Sequence, residues 1–304
     1  TARAGTPLAD IEAALAENNQ WLPFEPPAFG GAATIGGVVA AGLSGPGRQW
    51  AGAARDFVLG AAMLDAQGRA LHFGGQVMKN VAGYDVSRLL CGSLGILGLI
   101  ADVSLKVLPR PAASATVAVR MPADEAVRQL NDWGGRPLPL SASAWIDGVL
   151  ALRLSGARAA VDSALAGFAR DHGAEQLGEE QARQLWGGLR HQDLRFFRSA
   201  GTPEDEVPLW RLSLPSTAAP VDLRGEQLIE WGGALRWWRT DAPAAEVRET
   251  ATRAGGHATL FRGGERSLGV FTPLTPTVLT LHRRLKAEFD PHGIFNPGRL
   301  VPDF

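Results

Sequence analysis

From Pro26 to Gly47 the chain runs for 22 residues without a charge, and seven of them are glycine and three proline. The number alone would suffice for a bilayer crossing at ~20 residues. Glycine and proline at that density cannot sustain one long helix, so the stretch reads as loops around a short helix and no membrane span is expected. Two further segments, Gly74–Gly83 and Gly92–Gly98, are also rich in glycine. A chain built this way brings main chain close to something, either to other main chain or to a ligand.

The rest of the composition narrows the partners. Thirty basic residues against 31 acidic ones leave a formal charge of -1, which supplies no cationic field for a polyanion, so nucleic acid is not expected. Of the basic residues 27 are arginine, a bias that with abundant alanine suggests GC-rich coding, and single arginines are discounted accordingly. The one cysteine, Cys91, cannot form an intramolecular disulfide or hold an iron–sulfur cluster alone, which fits a reducing, cytoplasmic setting and leaves any cluster to a partner. It lies in an uncharged run from Leu89 to Ala101, as a buried, inert thiol would.

Local signals give an α+β pattern rather than regular βαβ alternation. A strand end at Thr1–Ala4 precedes Thr6-Pro7, a capping pair for a helix to about Glu17. Strands are predicted at 56–64 and 69–73 around the turn 65–68, and again at 101–108, with a short helix ending near Leu90. Pro109 and Pro111 suggest a boundary near 112. Beyond it come strand and helix, a hairpin at Asp147-Gly148, helices to about 170 and 189, strands at 209–214, 234–238 and 257–262, and a helix at 243–254. A last helix starts at Thr275-Pro276, with Val278, Leu279, His282, Leu285 and Phe289 predicted on one face, and ends in a turn-rich tail. The expected domains are 1–112, 113–272 and a returning segment 273–304.

Familiar catalytic motifs are missing. Gly92, Gly95 and Gly98 give G-x-x-G-x-x-G, which is not the dinucleotide fingerprint, and no lysine follows glycine as a Walker A loop needs. Ser44 and Ser93 do not sit in nucleophile elbows. The six histidines show no close metal-ligand spacing, so no metal is assigned. The glycines remain ambiguous: Thr34-Ile-Gly-Gly37 suits main-chain amides converging on a diphosphate, and close packing explains it at least as well.

Taken in order, Pro23-Phe-Glu-Pro-Pro27, Thr34-Ile-Gly-Gly37, Lys79-Asn-Val-Ala-Gly-Tyr-Asp85, Cys91-Gly-Ser-Leu-Gly-Ile-Leu-Gly98 and Phe295-Asn-Pro-Gly-Arg299 resemble the FAD-binding oxidoreductases of the vanillyl-alcohol oxidase/p-cresol methylhydroxylase type. The likeness narrows to the FAD-binding E subunits of bacterial glycolate oxidases. It implies an α+β FAD domain with an α+β cap domain. The family's first pyrophosphate loop would lie upstream of Thr1, so the N-terminal lobe reads as incomplete. By position, Pro26, Thr34, Ile35, Gly36 and Gly37 would line the ribityl and pyrophosphate region of FAD. Gly92, Ser93, Gly95, Gly98 and Ile100 would line pyrophosphate and adenosine, and Asn296 would lie near the isoalloxazine. Relatives commonly carry a carboxylate and a hydroxyl where Leu94 and Ile96 stand.

Oxidising a 2-hydroxy acid needs a cation for the carboxylate and a base for the hydroxyl proton. Arg211 and Arg236, each in an aromatic strand context, are the carboxylate candidates and His257 the base. The metal-binding histidine cluster that catalytic relatives carry in the cap has no counterpart. The resemblance therefore implies an FAD-binding subunit in an electron-transfer or scaffolding role, beside a catalytic flavoprotein subunit and an iron–sulfur subunit, peripheral at the inner membrane through that complex. An independent FAD-dependent 2-hydroxy-acid dehydrogenase and a structural subunit without flavin are the alternatives.

Overall fold

A computed structural model describes residues 1–77, 83–198, 206–267, 269–302 and 304. Lys79–Ala82 of the third motif lie outside them. The chain divides into two compact units: residues 1–45, 52–110 and 273–304 form the first, and residues 46–51 and 111–272 the second.

In the first unit β1 (Ala2–Arg3) leads into α1 (Leu8–Glu17). The helix starts one residue later than Thr6-Pro7 suggests: Pro7 is the cap, because its extended backbone bridges Thr34 while Thr6 gives its carbonyl to the Ile35 amide. The uncharged stretch does hold one short helix, α2 (Ile35–Ala41). The chain then gives the four-residue α3 (Arg48–Ala51) to the second unit and returns with β2 (Val58–Leu64), β3 (Ala70–Gly74) and β4 (Leu99–Leu105). These strands form an antiparallel sheet in the order β1-β4-β2-β3. The turn between β2 and β3 is fixed by Asp65, whose Oδ1 accepts from the amides of Gln67 and Arg69 at 2.9 Å.

Gly36 shows why α2 must be built of small residues. A Cβ there would lie 2.5 Å from the Ala4 Cβ and 2.9 Å from its carbonyl oxygen. We expect Gly36→Ala to cost about 1–3 kcal/mol, the usual penalty for overpacking a tight contact, and urea denaturation measures it.

The C-terminal helix, Pro276–Phe289, starts where predicted, and of its predicted face Leu279, His282 and Phe289 are half-buried while Val278 and Leu285 are not. Val278, Leu281 and Leu285 are exposed, and Lys286, with the following Asp290, is buried. Periodicity of apolar residues cannot foresee this, because the inward position is held by hydrogen bonds rather than by hydrocarbon.

The second unit is one antiparallel sheet of eight strands with helices on both faces. In chain order it contains β5 (Ala113–Arg120), α4 (Ala123–Gly134), β6 (Leu140–Ile146), β7 (Val149–Gly156), α5 (Arg158–His172), β8 (Glu175–Gln176) and α6 (Glu179–His191). There follow β9 (Leu209–Ser213), β10 (Glu226–Glu230), β11 (Leu235–Arg239), α7 (Ala244–Arg253) and β12 (His257–Arg262). The strand order is β8-β5-β7-β6-β10-β11-β9-β12.

Alternation sorts the core. Trp210, Leu212, Trp238 and Leu260 face Val247 and Ala251 of α7. Leu209, Leu228, Leu235 and Trp237 face the opposite way, in one cluster with Trp186 and Leu189 of α6. Ala142, Ala144 and Ala151 in that cluster leave room for the indoles. Strand β10 was not foreseen, because Glu226-Gln-Leu-Ile-Glu230 is charged at both ends. In the fold Glu230 is buried and its Oε2 accepts from Trp237 Nε1 at 2.8 Å.

Candidate functional site

Two of the glycine-rich segments of the first unit, 26–47 and then Gly92–Gly98, meet at α2. Its N-terminal amides are all engaged inside the protein: Ile35 donates to the Thr6 carbonyl at 3.0 Å, Gly36 to that of Ala4 at 2.8 Å, and Gly37 to Thr34 Oγ1 at 3.3 Å. Its C-terminal carbonyls are capped by the second segment, with Gly92 donating to Val39 and Leu94 to Ala40, both at 2.9 Å. Ser93 donates its Oγ to the Leu90 carbonyl and accepts from the Gly95 amide. A Cβ on Gly42 would stand 2.9 Å from Gly92. These amides therefore close the helix on both ends.

What the segments leave open is main-chain surface. Gly37 and Gly92 are exposed; a Cβ on Gly92 would meet nothing within 4 Å, and on Gly37 only Thr34 Oγ1. Gly30 and Gly31, at φ of +92° and +96°, are equally open. Pro26, Ile35, Gly36, Ser93, Gly98 and Ile100 are buried behind this surface, and Thr34 and Gly95 are half-buried. The residues fit the extended FAD that the family resemblance implies as a side-chain-free wall, and not as an amide cradle.

The tail is fastened to the same loop. Exposed Asn296 donates Nδ2 to the Leu94 carbonyl at 2.8 Å, and the Gly95 main chain lies so near that a Cβ would meet that nitrogen at 2.8 Å. Lys286 Nζ donates to the carbonyls of Ile96 at 2.8 Å and Phe295 at 2.7 Å and to Asp290 Oδ2 at 2.6 Å. Asp290 also accepts from the amides of Ile294 and Phe295. Cys91, at the loop's start, has its thiol pushed up to about 11, first by burial and then by the charge of Asp56, against the opposing pull of Arg55. At pH 8 we expect it to react with iodoacetamide at about one-hundredth the rate of an ordinary thiol of pKa ~8.5 in the native protein, and at the ordinary rate in urea.

The second unit gathers the candidate catalytic residues differently from the sequence expectation. Arg211 on β9 lies opposite Trp237 and Thr259, and His257 opposite Ser213, so Arg211 and His257 share one face of neighbouring strands. Arg236 is on the other face, 1% exposed, and donates to the carbonyls of Gly233, Ala219 and Ala218 at 3.3, 3.0 and 2.6 Å. Its donors are engaged in holding the loop before β10, where they serve as a strut.

Around Arg211 the structure adds three residues that sequence reasoning missed. Trp231 sits in the turn from β10 to β11, where Trp231, Gly232 and Gly233 all have positive φ, and its ring is stacked by two cations: the Arg211 guanidinium 5.2 Å and that of Arg48, on α3, 4.4 Å from the centroid. Glu230 supplies a nearby carboxylate. Burial, and then the positive charge of Arg48, bring the Arg211 guanidinium down to about 10, with Glu230 pulling the other way. The exposed His257 is held below the ordinary imidazole value by partial desolvation and then by Arg211, so it is neutral at pH 7. The tight Glu-Trp-Gly-Gly turn was a signal open to sequence reading; nothing local marks Arg48. Among the described residues no group of three or more His, Cys, Asp and Glu is placed to hold a metal, and no helix is long and apolar enough to cross a membrane.

Comparison with known proteins follows the same outline. The profile of the FAD binding domain matches residues 1–74, and that of the C-terminal domain of FAD linked oxidases matches residues 271–300. The chain is 48% identical over its whole length to the glycolate oxidase subunit GlcE of Escherichia coli, covering 82% of that protein. It is 25% identical over 98% of its length to a D-lactate dehydrogenase of Archaeoglobus fulgidus, covering 76% of it. The fold resembles alkyldihydroxyacetonephosphate synthase with a TM-score of 0.64 at 15% identity, over 98% of this chain. The chain spans 64% of the length of that structure. Full-length similarity, the two matched profiles and the α+β architecture agree: the chain belongs to the GlcE family of FAD-linked oxidoreductases.

Proposed function

We propose that the chain serves as an FAD-binding subunit of a 2-hydroxy-acid oxidase acting on glycolate, beside a catalytic flavoprotein subunit and an iron–sulfur subunit. The observation that carries this reading is the 48% identity over the full chain to a protein named as a glycolate oxidase subunit. Pro26, Thr34, Ile35, Gly36, Gly37, Gly92, Ser93, Gly95, Gly98 and Ile100 form or back the wall on which FAD rests, and Asn296 pins the loop beside it. FAD, when bound, supplies the two-electron acceptor for oxidation of a hydroxy acid.

A second reading, in which this chain itself binds the acid, is favoured by the shared face of Arg211 and His257. Arg211 then takes the carboxylate, and a nitrogen of the neutral His257 imidazole accepts the hydroxyl proton. Absorbance spectra of the full-length protein, purified with and without its partner subunits, test the first reading. Flavin bands in both preparations, with weak glycolate turnover by the isolated chain, are expected. Protein colourless in both would overturn it, and robust turnover by the isolated chain would move the chemistry to Arg211 and His257.

A further inference from the structure

We infer that Asn296 acts on FAD through Leu94 and not by touching it: Asn296 is a positioning residue that holds the strained Leu94 main chain, and with it the wall loop, in place. The inference rests on the FAD-binding reading for the identity of the ligand and on the first unit alone for the geometry.

Three features of the fold carry it. First, Leu94 has a φ of +53°, in the left-handed region that glycine enters freely and leucine enters only at a cost. Gly92 and Gly95 in the same loop also have positive φ, at +84° and +72°, so Leu94 is the one of the three whose conformation needs outside support. Second, that support stands at both ends of the residue. The Leu94 amide donates to the Ala40 carbonyl of α2 at 2.9 Å, and its carbonyl accepts from Asn296 Nδ2 at 2.8 Å. These two bonds fix the peptide planes on either side of Leu94. Third, the donor is itself held. Asn296 has a φ of +42°, which asparagine tolerates better than leucine does, and it follows Phe295, whose carbonyl accepts from Lys286 and whose amide donates to Asp290. Lys286 also donates to the Ile96 carbonyl, so one buried ammonium ties both sides of the contact between Leu94 and Asn296.

The link to FAD runs along the loop. Gly92 presents open main chain to the wall, and Leu94 lies two residues beyond it. Without the Asn296 donor Leu94 relaxes toward negative φ, which turns the peptide between Leu94 and Gly95 and displaces the main-chain surface that the cofactor meets. The tail thus shapes the wall from behind.

The test uses the full-length chain, stripped of flavin by dialysis and titrated with FAD well below the melting temperature of each variant, so that only folded protein is counted. The dissociation constant and the visible circular dichroism of the bound flavin are read together. Asn296→Ala is expected to weaken FAD binding about tenfold and to alter the dichroism bands. In a Leu94→Gly background, where the left-handed conformation carries no steric cost, the same change is expected to weaken binding by less than about threefold and to leave the bands unmoved. Leu94→Asn provides a second background, since asparagine adopts the conformation readily and keeps a side chain. A residue that merely stabilised the fold would show no such dependence on position 94. Equal loss of affinity in all three backgrounds would place Asn296 on the flavin itself and overturn the inference, as would Asn296→Ala protein that binds FAD like wild type. Wild-type protein that takes up no FAD, with or without its partner subunits, would overturn the family-based reading and this inference together, so the two failures are told apart by the wild type alone.

Discussion

Lys286→Met is expected to destabilise the protein by about 3–5 kcal/mol, the loss typical of breaking a buried ion pair from one side. Lys286 is 4% exposed and its ammonium satisfies two carbonyls and a carboxylate at once, so its removal leaves Asp290 buried with a charge and Ile96 and Phe295 with unmet oxygens. Burial pushes the Asp290 carboxyl up, but the Lys286 ammonium and the amides of Phe295 and Ile294 outweigh it, leaving the carboxyl below the ordinary range. A carboxyl depressed in this way contributes stability above its unfolded-state pKa and loses it as pH falls through the lower folded value. The wild-type tail should therefore hold at neutral pH and loosen only below the ordinary carboxylate range. Urea denaturation of Lys286→Met and of Lys286→Met/Asp290→Asn measures the effect. The double variant, which removes the stranded charge, should recover part of the loss. A single variant within 1 kcal/mol of wild type would show that the tail does not depend on this pair.

Arg211→Leu should move stability and binding in opposite directions. The guanidinium is desolvated and repelled by Arg48, with Glu230 pulling the other way, so a shorter apolar side chain removes a standing electrostatic cost. Ligand-free protein is expected to gain about 1–3 kcal/mol. Stabilisation by glycolate should vanish, because the carboxylate loses its charged donors. Melting curves with and without glycolate give both numbers. A loss of stability without ligand would mean that Arg211 is a structural cation, and an undiminished glycolate shift would place the carboxylate elsewhere.

Much of this architecture is legible in the sequence where the cause is local. The turn at Asp65, the hairpin at Asp147-Gly148 and the helix start at Thr275-Pro276 depend on a few neighbouring residues, and each occurs where those residues stand. An aromatic strand context marks Arg211 and Arg236 alike, and a glycine-containing segment marks His257. The failures have long-range causes. Whether an amide at Gly36 or Gly92 faces a ligand or another segment depends on Ala4 and Val39, which no local pattern reveals. Arg236 and Arg211 look alike in sequence, and only strand parity sends them to opposite faces. Lys286 reads as a solvent-facing residue until the tail folds back to offer it Phe295 and Asp290.

The six residues 46–51 have a bearing on how such proteins can be taken apart. Because α3 belongs to the second unit, with Trp50 packed against its core and Arg48 on Trp231, that unit is not continuous along the chain. A fragment cut at 111–272 would lack a piece of its own interior, and a chimera exchanging only that span between relatives would mismatch donor and recipient at Trp50 and Arg48. Recombination that respects the fold has to carry both pieces together, because one unit draws its interior from two separate stretches of sequence.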